Sequence, residues 1–128
     1  MAGERDLAVL LRQMEPVLIA EPYGFAVWAG GALPLVPFAT VNEDEGLTVV
    51  APLEALRAAG MVSEAWARIS LTVHSDLAAV GLTAAFAGAL AKVRISANVI
   101  AGFHHDHILV QWDRRQDAMA ALQGLASA

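Results

Sequence analysis

The chain has 128 residues, of which 57% are hydrophobic and 16% are charged, and it carries a net charge of −5. The apolar share excludes a disordered protein, and the length allows one compact domain or two very small ones with a common core. The acidic balance, without any basic run, excludes the electrostatic pattern of a nucleic-acid binder. Because few charges leave little polar surface, we expect a homo-oligomer whose interface buries apolar area.

The chain contains no cysteine, which excludes disulfides, thiolate nucleophiles and cysteine–zinc sites. This composition fits a reducing compartment, and the N-terminus lacks a basic start with an apolar signal core, so we expect a cytoplasmic protein. The uncharged stretch from Pro22 to Asn42 contains three prolines and three glycines. These residues break helices, so the stretch predicts strands and turns, and no membrane helix is expected.

The first half of the chain predicts a helix followed by extended segments. Four apolar residues at helical spacing indicate a helix over residues 4–14, which Pro16 ends: Leu7, Leu10, Leu11 and Met14. Strands are predicted at 17–20, 23–28, 38–41 and 47–50, with a loop at 30–37 and an acidic turn at 42–46. A short helix at 52–60 follows, with Pro52 in its first turn and Gly60 as its stop.

The second half shows the clearest periodicity. Ile69, Leu71 and Val73 alternate with polar residues and predict a strand with one buried face. A helix over 81–93 carries one apolar stripe: Leu82, Ala85, Phe86, Ala89, Leu90 and Val93. Its flanking face is made of small residues, which favour either close approach of another backbone or simple helix propensity: Ala84, Ala87, Gly88 and Ala91.

Two strands at 96–103 and 107–112 come next, and a last helix has Ala118, Leu122 and Leu125 on its inner side. Asp113 lies three residues before Gln116, the spacing of a capping box. Residues 38–60 and 99–124 each follow the pattern strand, charged turn, strand, helix, glycine, with little residue identity. The pattern suggests two related halves.

The turn "HHDH", His104 to His107, groups residue types that ligate metals and transfer protons. A two-residue hairpin turn at His105 and Asp106 predicts the cross-strand pairs His104–His107, Phe103–Ile108, Ala101–Val110 and Val99–Trp112. Two imidazoles and a carboxylate then lie close together, and His104, Asp106 and His107 become weak candidates for a metal site that His74 could join. The other interpretation is a polar turn with hydrogen-bonded histidines, because the spacing matches no metalloenzyme motif.

Other catalytic patterns are incomplete. Ser75 and Asp76, with the histidines, contain the components of a triad, but no nucleophile elbow surrounds the serine. Neither a P-loop nor a dinucleotide-binding glycine motif is present. Glu43, Asp44 and Glu45 form an acidic turn that either receives a cationic group or is simply solvated.

Three segments resemble small stand-alone bacterial proteins of the ACT domain family: Glu43–Thr48 ("EDEGLT"), Leu71–Ala85 ("LTVHSDLAAVGLTAA") and His104–His107 ("HHDH"). The resemblance covers most of the chain from about Phe38 onward. It implies an α+β, ferredoxin-like fold of the βαββαβ type, with antiparallel sheets and helices packed on one face. It further implies an N-terminal ACT-like half at 1–62, a C-terminal ACT domain at 63–128, and assembly as a homodimer.

The resemblance also implies a ligand site at the turn between the first strand and the first helix of an ACT unit, at an interface between units. In this chain the matching residues are His74, Ser75, Asp76, Leu77, Val80, Gly81 and Leu82, with Asn98 on the facing strand. The start of the helix near Gly81 offers amides to a carboxylate, and Asp76, or Glu43 to Glu45 of a neighbouring unit, pairs with an ammonium. Alternatively, Ser75 and Asp76 only cap the helix.

The chain departs from the family pattern in two places. No strand is predicted after the last helix, so the closing strand is absent or is replaced by a segment of the N-terminal half. Arg94-Ile95 stands where many ACT helices end in Gly-Ile, which leaves the end of that helix open.

Three functions follow from these observations. The first is a non-enzymatic regulatory protein that binds a small molecule, expected to be an amino acid, without a cofactor, nucleic acid or membrane. The second is an assembly module without a ligand. The third is a metal-dependent enzyme that uses His104, Asp106 and His107.

Overall fold

The structure is a computed structural model that describes residues 3–127. The elements in this part of the chain are α1 Leu7–Arg12, β1 Pro16–Leu18, β2 Tyr23–Trp28, β3 Ala39–Glu43, β4 Gly46–Pro52, α2 Leu53–Ala58, β5 Trp66–Leu71, α3 Leu82–Lys92, β6 Asn98–Ala101, β7 Asp106–Gln111, a 3-10 turn Trp112–Arg114 and α4 Arg115–Ala126. None of these helices is long and apolar enough to cross a membrane.

The chain folds into two compact units. The smaller unit is Ala20–Trp66, and the larger unit contains the residues up to Ile19 and from Ala67 onward. The first helix and strand therefore belong to the same unit as the C-terminal half. The predicted division after residue 62 stays a prediction.

The smaller unit is built on three antiparallel strands in the order β3-β4-β2. The acidic turn predicted at 42–46 forms the β3–β4 hairpin, in which Glu43 pairs with Gly46. Val49, Ala51, Leu56 and Met61 form its core. The predicted loop at 30–37 also contributes, because its Leu33 and Leu35 pack against that core.

The larger unit has the strand order β1-β5-β7-β6. β1 is antiparallel to β5, with Val17 opposite Ser70. A strand of the N-terminal half therefore lies where the closing strand of a βαββαβ module was expected. The observed α+β architecture agrees with the predicted ferredoxin-like fold.

Helices α1, α3 and α4 bury their apolar stripes against one face of this sheet. The predicted buried face of β5 is confirmed at Ile69 and Leu71, which are fully buried, but Ser70 between them is also only 9% exposed, so the alternation with an exposed face is incomplete. Phe86 and Leu90 of the α3 stripe are also fully buried, each contributing roughly 1.5–3 kcal/mol of burial free energy. Val93, predicted in the same stripe, lies just beyond the end of α3 at Lys92 and is 43% exposed.

The N-terminal helix is shorter than the predicted 4–14. It begins at Leu7 because the carboxylate of Asp6 accepts hydrogen bonds from the N–H groups of Ala8 and Val9 at 3.0 and 3.3 Å. Such an N-cap fixes the first helical residue. Met14 lies beyond the helix but is fully buried, as the spacing indicated.

The predicted capping box at the last helix is wrong. Residues 112–114 form a 3-10 turn, and α4 begins at Arg115 without a side-chain cap. Arg115 donates to the carbonyl of Trp112 at 2.7 Å, and its guanidinium lies 3.9 Å from the centre of the Trp112 ring. Packing of an arginine on an aromatic ring, which spacing does not reveal, holds this junction.

The predicted register of the β6–β7 hairpin is also wrong. Val99 pairs with Ile108 and Ala101 pairs with Asp106, so that Gly102 to His105 form the connection. The N–H of Gly102 donates to the carbonyl of His105 at 2.9 Å, which closes this longer turn. The apolar face is unchanged because the error is an even number of residues.

Candidate functional site

The loop that follows β5 is held by the N-terminal segment. The N–H of Glu4 donates to the carbonyl of His74 at 2.9 Å, and the N–H of Asp76 donates to the carbonyl of Glu4 at 3.0 Å. Gly3 approaches so closely that an added Cβ would lie 2.6 Å from the carbonyl oxygen of His74. Residues 3–5 therefore lie along one side of the predicted site.

Asp76 orders the same loop through its carboxylate. The N–H of Ala78 donates to this carboxylate at 2.7 Å, and the Arg5 guanidinium lies 3.3 Å from its other oxygen. The bond from Ala78, followed by the contact with Arg5, holds the pKa of Asp76 below its usual range. The alternative in which Asp76 caps the helix is wrong, because its bond to Ala78 lies within the loop.

The start of α3 has no side-chain cap. Its N-cap residue is Gly81, with φ of +100°, a left-handed conformation that glycine adopts readily. The first amides of a helix have no partners within the helix and carry partial positive charge. The side chain of Leu7 covers one side of Gly81, 3.1 Å from the position of an added Cβ.

A cleft of about 100 Å³ opens between this loop, the start of α3 and the β6–β7 hairpin, and all of it lies in the larger unit. Its lining residues are Ser75, Asp76, Leu77, Ala79, Leu82, Thr83, Ala101 and Asp106. The cleft thus brings together four residues of the predicted site: Ser75, Asp76, Leu77 and Leu82. It adds Ala79, Thr83, Ala101 and Asp106, which were not predicted as ligand contacts.

Four other predicted site residues lie outside this lining. His74 and Gly81 flank the lining residues in the same loop, and the side chain of Val80 is 83% exposed. Asn98 pairs with Leu109 at the far end of β6 from Ala101. Its side-chain amide donates to the carbonyl of Leu109 at 3.4 Å.

The acidic turn belongs to the smaller unit and is exposed. Glu43 accepts a hydrogen bond from the Thr48 hydroxyl on the next strand. Glu43, Asp44 and Glu45 line no part of the cleft described above.

Asp106 is the main addition to the site. It is the first residue of β7, opposite Ala101, and it is half-buried. Burial raises the pKa of its carboxyl group, and among residues 3–127 no basic side chain forms a salt bridge with it. The sequence drew attention to Asp106 only as a weak metal candidate, because the assumed register placed it inside a turn.

The histidines form two separate groups. The ring centres of His74 and His104 are 5.0 Å apart, and Nδ1 of His105 lies 3.3 Å from the carbonyl oxygen of Val73. His107 lies on β7, where its Nδ1 is 2.7 Å from the Ser70 hydroxyl. No group of three or more possible metal ligands comes together within residues 3–127.

The chain matches known family models over most of its length. Two family models, both described as ACT domain, match residues 2–68 and residues 61–124. The chain belongs to the ACT domain family. The two matches agree with the paired ACT halves that the sequence motifs indicated.

Solved structures with a similar fold include a Vibrio cholerae protein of unknown function, described as a possible transport protein. That protein is 49% identical, with a TM-score of 0.84, over 94% of this chain and 95% of that one. An Agrobacterium tumefaciens protein is 18% identical, with a TM-score of 0.69, over 83% and 84% of the two chains. The regulatory subunit of aspartate kinase from Thermus thermophilus is 11% identical, with a TM-score of 0.59, over 86% and 95%.

A comparison with curated proteins finds no significant match. The two ACT matches indicate a regulatory, ligand-binding class of protein, and no catalytic family is among them. Within the larger unit, the turn that joins β5 to α3 forms part of the cleft. The resemblance implied a ligand at this strand–helix turn.

Proposed function

We propose that this protein is a non-enzymatic ACT regulator that binds a free amino acid in the cleft of its larger unit. The observation that carries the proposal is the combination of the Asp106 carboxylate with the uncapped start of α3 in one small cleft. These two features have opposite electrostatic preferences. A zwitterion satisfies both of them.

Asp106 provides the site for the ammonium group. Burial disfavours its charged form, and no basic side chain of the described residues compensates this cost. A bound ammonium would supply the missing positive charge through a charge-assisted hydrogen bond. Asp76 is a weaker candidate, because Arg5 already lies against its carboxylate.

The start of α3 provides the site for the carboxylate. α3 is an eleven-residue helix whose first residues, Leu82 and Thr83, line the cleft. Free amides and the helix dipole favour an anion at this end, and the Thr83 hydroxyl is a further donor. Ser75, which also lines the cleft, adds another hydroxyl.

The size of the cleft favours a small ligand and an additional wall. Its volume of about 100 Å³ is below the ~300–1,000 Å³ of sites that enclose drug-sized molecules. Leu77 and Val80 expose 66% and 83% of their surfaces in the loop beside it. We infer that a second copy covers these side chains and completes the site, as a homodimer.

This arrangement gives the ligand a regulatory effect. A ligand that contacts both copies favours the assembled state over the separated one, because only the assembled state offers both sets of contacts. The effect needs no catalytic group. The absence of cysteine and the acidic composition fit a cytoplasmic regulator that acts without nucleic acid.

Thermal unfolding with each of the twenty common amino acids at millimolar concentration tests the proposal. At least one amino acid should raise the midpoint, and its analogues that lack the ammonium or the carboxylate should not. Asp106→Asn should abolish the rise, whereas Asp113→Asn, a change at an exposed aspartate outside the cleft, should keep it. If no amino acid raises the midpoint of the wild-type protein, amino-acid binding is rejected and the assembly module without a ligand becomes the better description.

A further inference from the structure

A second cleft lies in the smaller unit, beside the outer edge of β2. At Tyr23 this edge pairs with Trp66, and at Phe25 its N–H donates to the Ser63 hydroxyl at 2.9 Å. The approach is so close at Gly24 that an added Cβ would lie 2.4 Å from the Ser63 oxygen. Toward the end of β2, residues 26–30 and residues 60–62 line a cleft of about 330 Å³.

The walls of this cleft carry no charged side chain. The lining residues are Ala26, Val27, Trp28, Ala29, Gly30, Gly60, Met61 and Val62. Val27 and Val62 are 61% and 91% exposed, although both are large aliphatic residues. The Trp28 ring is fixed, because its indole N–H donates to the carbonyl of Gly31 at 3.2 Å.

One wall is an open strand edge. In an antiparallel ladder, successive residues direct their N–H and C=O groups to opposite neighbours. The N–H of Phe25 points away from β4, toward Ser63, so the N–H and C=O groups of Val27 point the same way. Within residues 3–127, no strand pairs with this edge of β2 beyond Tyr23.

We propose that this cleft binds a short extended peptide segment with uncharged, small or aliphatic side chains, which adds to β2 by pairing with Val27. An open strand edge is a template for such strand addition, and Trp66 already pairs with the same edge at Tyr23. The volume lies in the ~300–1,000 Å³ range of ligand sites. The uncharged walls disfavour charged side chains, because these would lose their hydration without gaining a partner.

Titration of the full-length ¹⁵N-labelled protein with the capped tripeptide acetyl-Val-Ala-Val-amide tests this site by NMR. The shifts should concentrate at residues 26–30 and 60–62. Methylation of the peptide's central amide nitrogen should weaken binding about tenfold or more, because the carbonyl of Val27 then loses its donor. Equal binding of both peptides, or no binding of either, would overturn the proposal.

Val62→Asp should weaken binding of the same tripeptide by about tenfold, because it places a charge at the apolar rim. The matched control is Val41→Asp, which changes a 54% exposed valine of the same unit outside the cleft. Both residues are exposed, so both variants should fold. Equal losses of peptide affinity in the two variants would contradict peptide binding in this cleft. Chemical shifts at residues 26–30 that change with protein concentration in the absence of peptide would also contradict it. The second result would assign the edge to another copy of the chain.

Discussion

The hydroxyl of Ser70 lies 2.7 Å from Nδ1 of His107, across the neighbouring strands β5 and β7 of the larger unit. The Arg68 guanidinium donates to the same hydroxyl at 3.2 Å. The His107 ring is half-buried beside this hydroxyl. Its burial, then Arg68 and His105, lower the pKa of His107 from 6.5 to about 4.

This arrangement predicts a loss of stability in mild acid. The folded protein resists protonation of His107 until about pH 4, whereas the unfolded chain takes up the proton near pH 6.5. The contribution is complete above pH 6.5 and declines as the pH falls toward 4. Urea unfolding midpoints should fall less over this range in His107→Gln than in the wild-type protein, and the exposed control His104→Gln should behave as the wild type. Equal declines in all three proteins would exclude this role of His107.

Replacing the Asp106 carboxylate should raise stability and abolish amino-acid binding. Because burial raises the pKa of the Asp106 carboxyl group, the folded protein loses stability as the pH rises past the usual value of 3.8 and the carboxyl ionises. Asp106→Asn should therefore unfold at a higher urea concentration than the wild type at pH 7, and this difference should disappear below pH 3.8. The same variant should no longer be stabilised by the amino acid. A variant that is less stable than the wild type at pH 7 would show that the carboxylate already has a partner.

Gly81→Ala should destabilise the larger unit by roughly 1–2 kcal/mol, because a Cβ disfavours the left-handed conformation at φ of +100°. The added Cβ also meets the side chain of Leu7 at 3.1 Å. Gly60→Ala is the matched control, since φ is +79° there and no atom lies within 4 Å of the added Cβ. Urea unfolding should show a larger loss of stability for Gly81→Ala than for Gly60→Ala. The loss caused by Gly81→Ala should be smaller when Leu7 is also replaced by alanine. Equal losses at the two glycines would show that the Leu7 contact has no cost.

Replacing Arg94 with glycine, the residue that many ACT helices have at this point, should stabilise the protein. The φ of Arg94 is +62°, and Ile95 donates to the carbonyl of Leu90 at 3.0 Å, which is the pattern of a helix ending in a left-handed residue. Arg94→Gly should raise the free energy of unfolding by about 1 kcal/mol, since glycine adopts this conformation without a Cβ penalty. Arg94→Lys keeps both the charge and the Cβ and should leave stability unchanged. A gain of stability in Arg94→Lys would instead attribute the effect to the arginine side chain.

Much of the fold follows from local patterns. The alternation at Ile69 and Leu71 and the stripe through Phe86 and Leu90 indicated the buried faces correctly, because burial on one face requires that periodicity. The motif residues Ser75 to Leu82 also predicted the loop around which the cleft forms. Each of these signals lies within one short segment of the chain.

The remaining features depend on contacts between distant segments. Asp106 reaches the cleft because the hairpin connection spans Gly102 to His105, a length that the alternation of apolar residues does not distinguish from a two-residue turn. The partners of Asp76 and Gly81 come from Arg5 and Leu7, about seventy residues earlier in the chain. Local sequence therefore determined the order and type of most elements and the main buried faces. Only the tertiary structure decided which charges and amides face the same cleft, because that depends on register and on long-range packing.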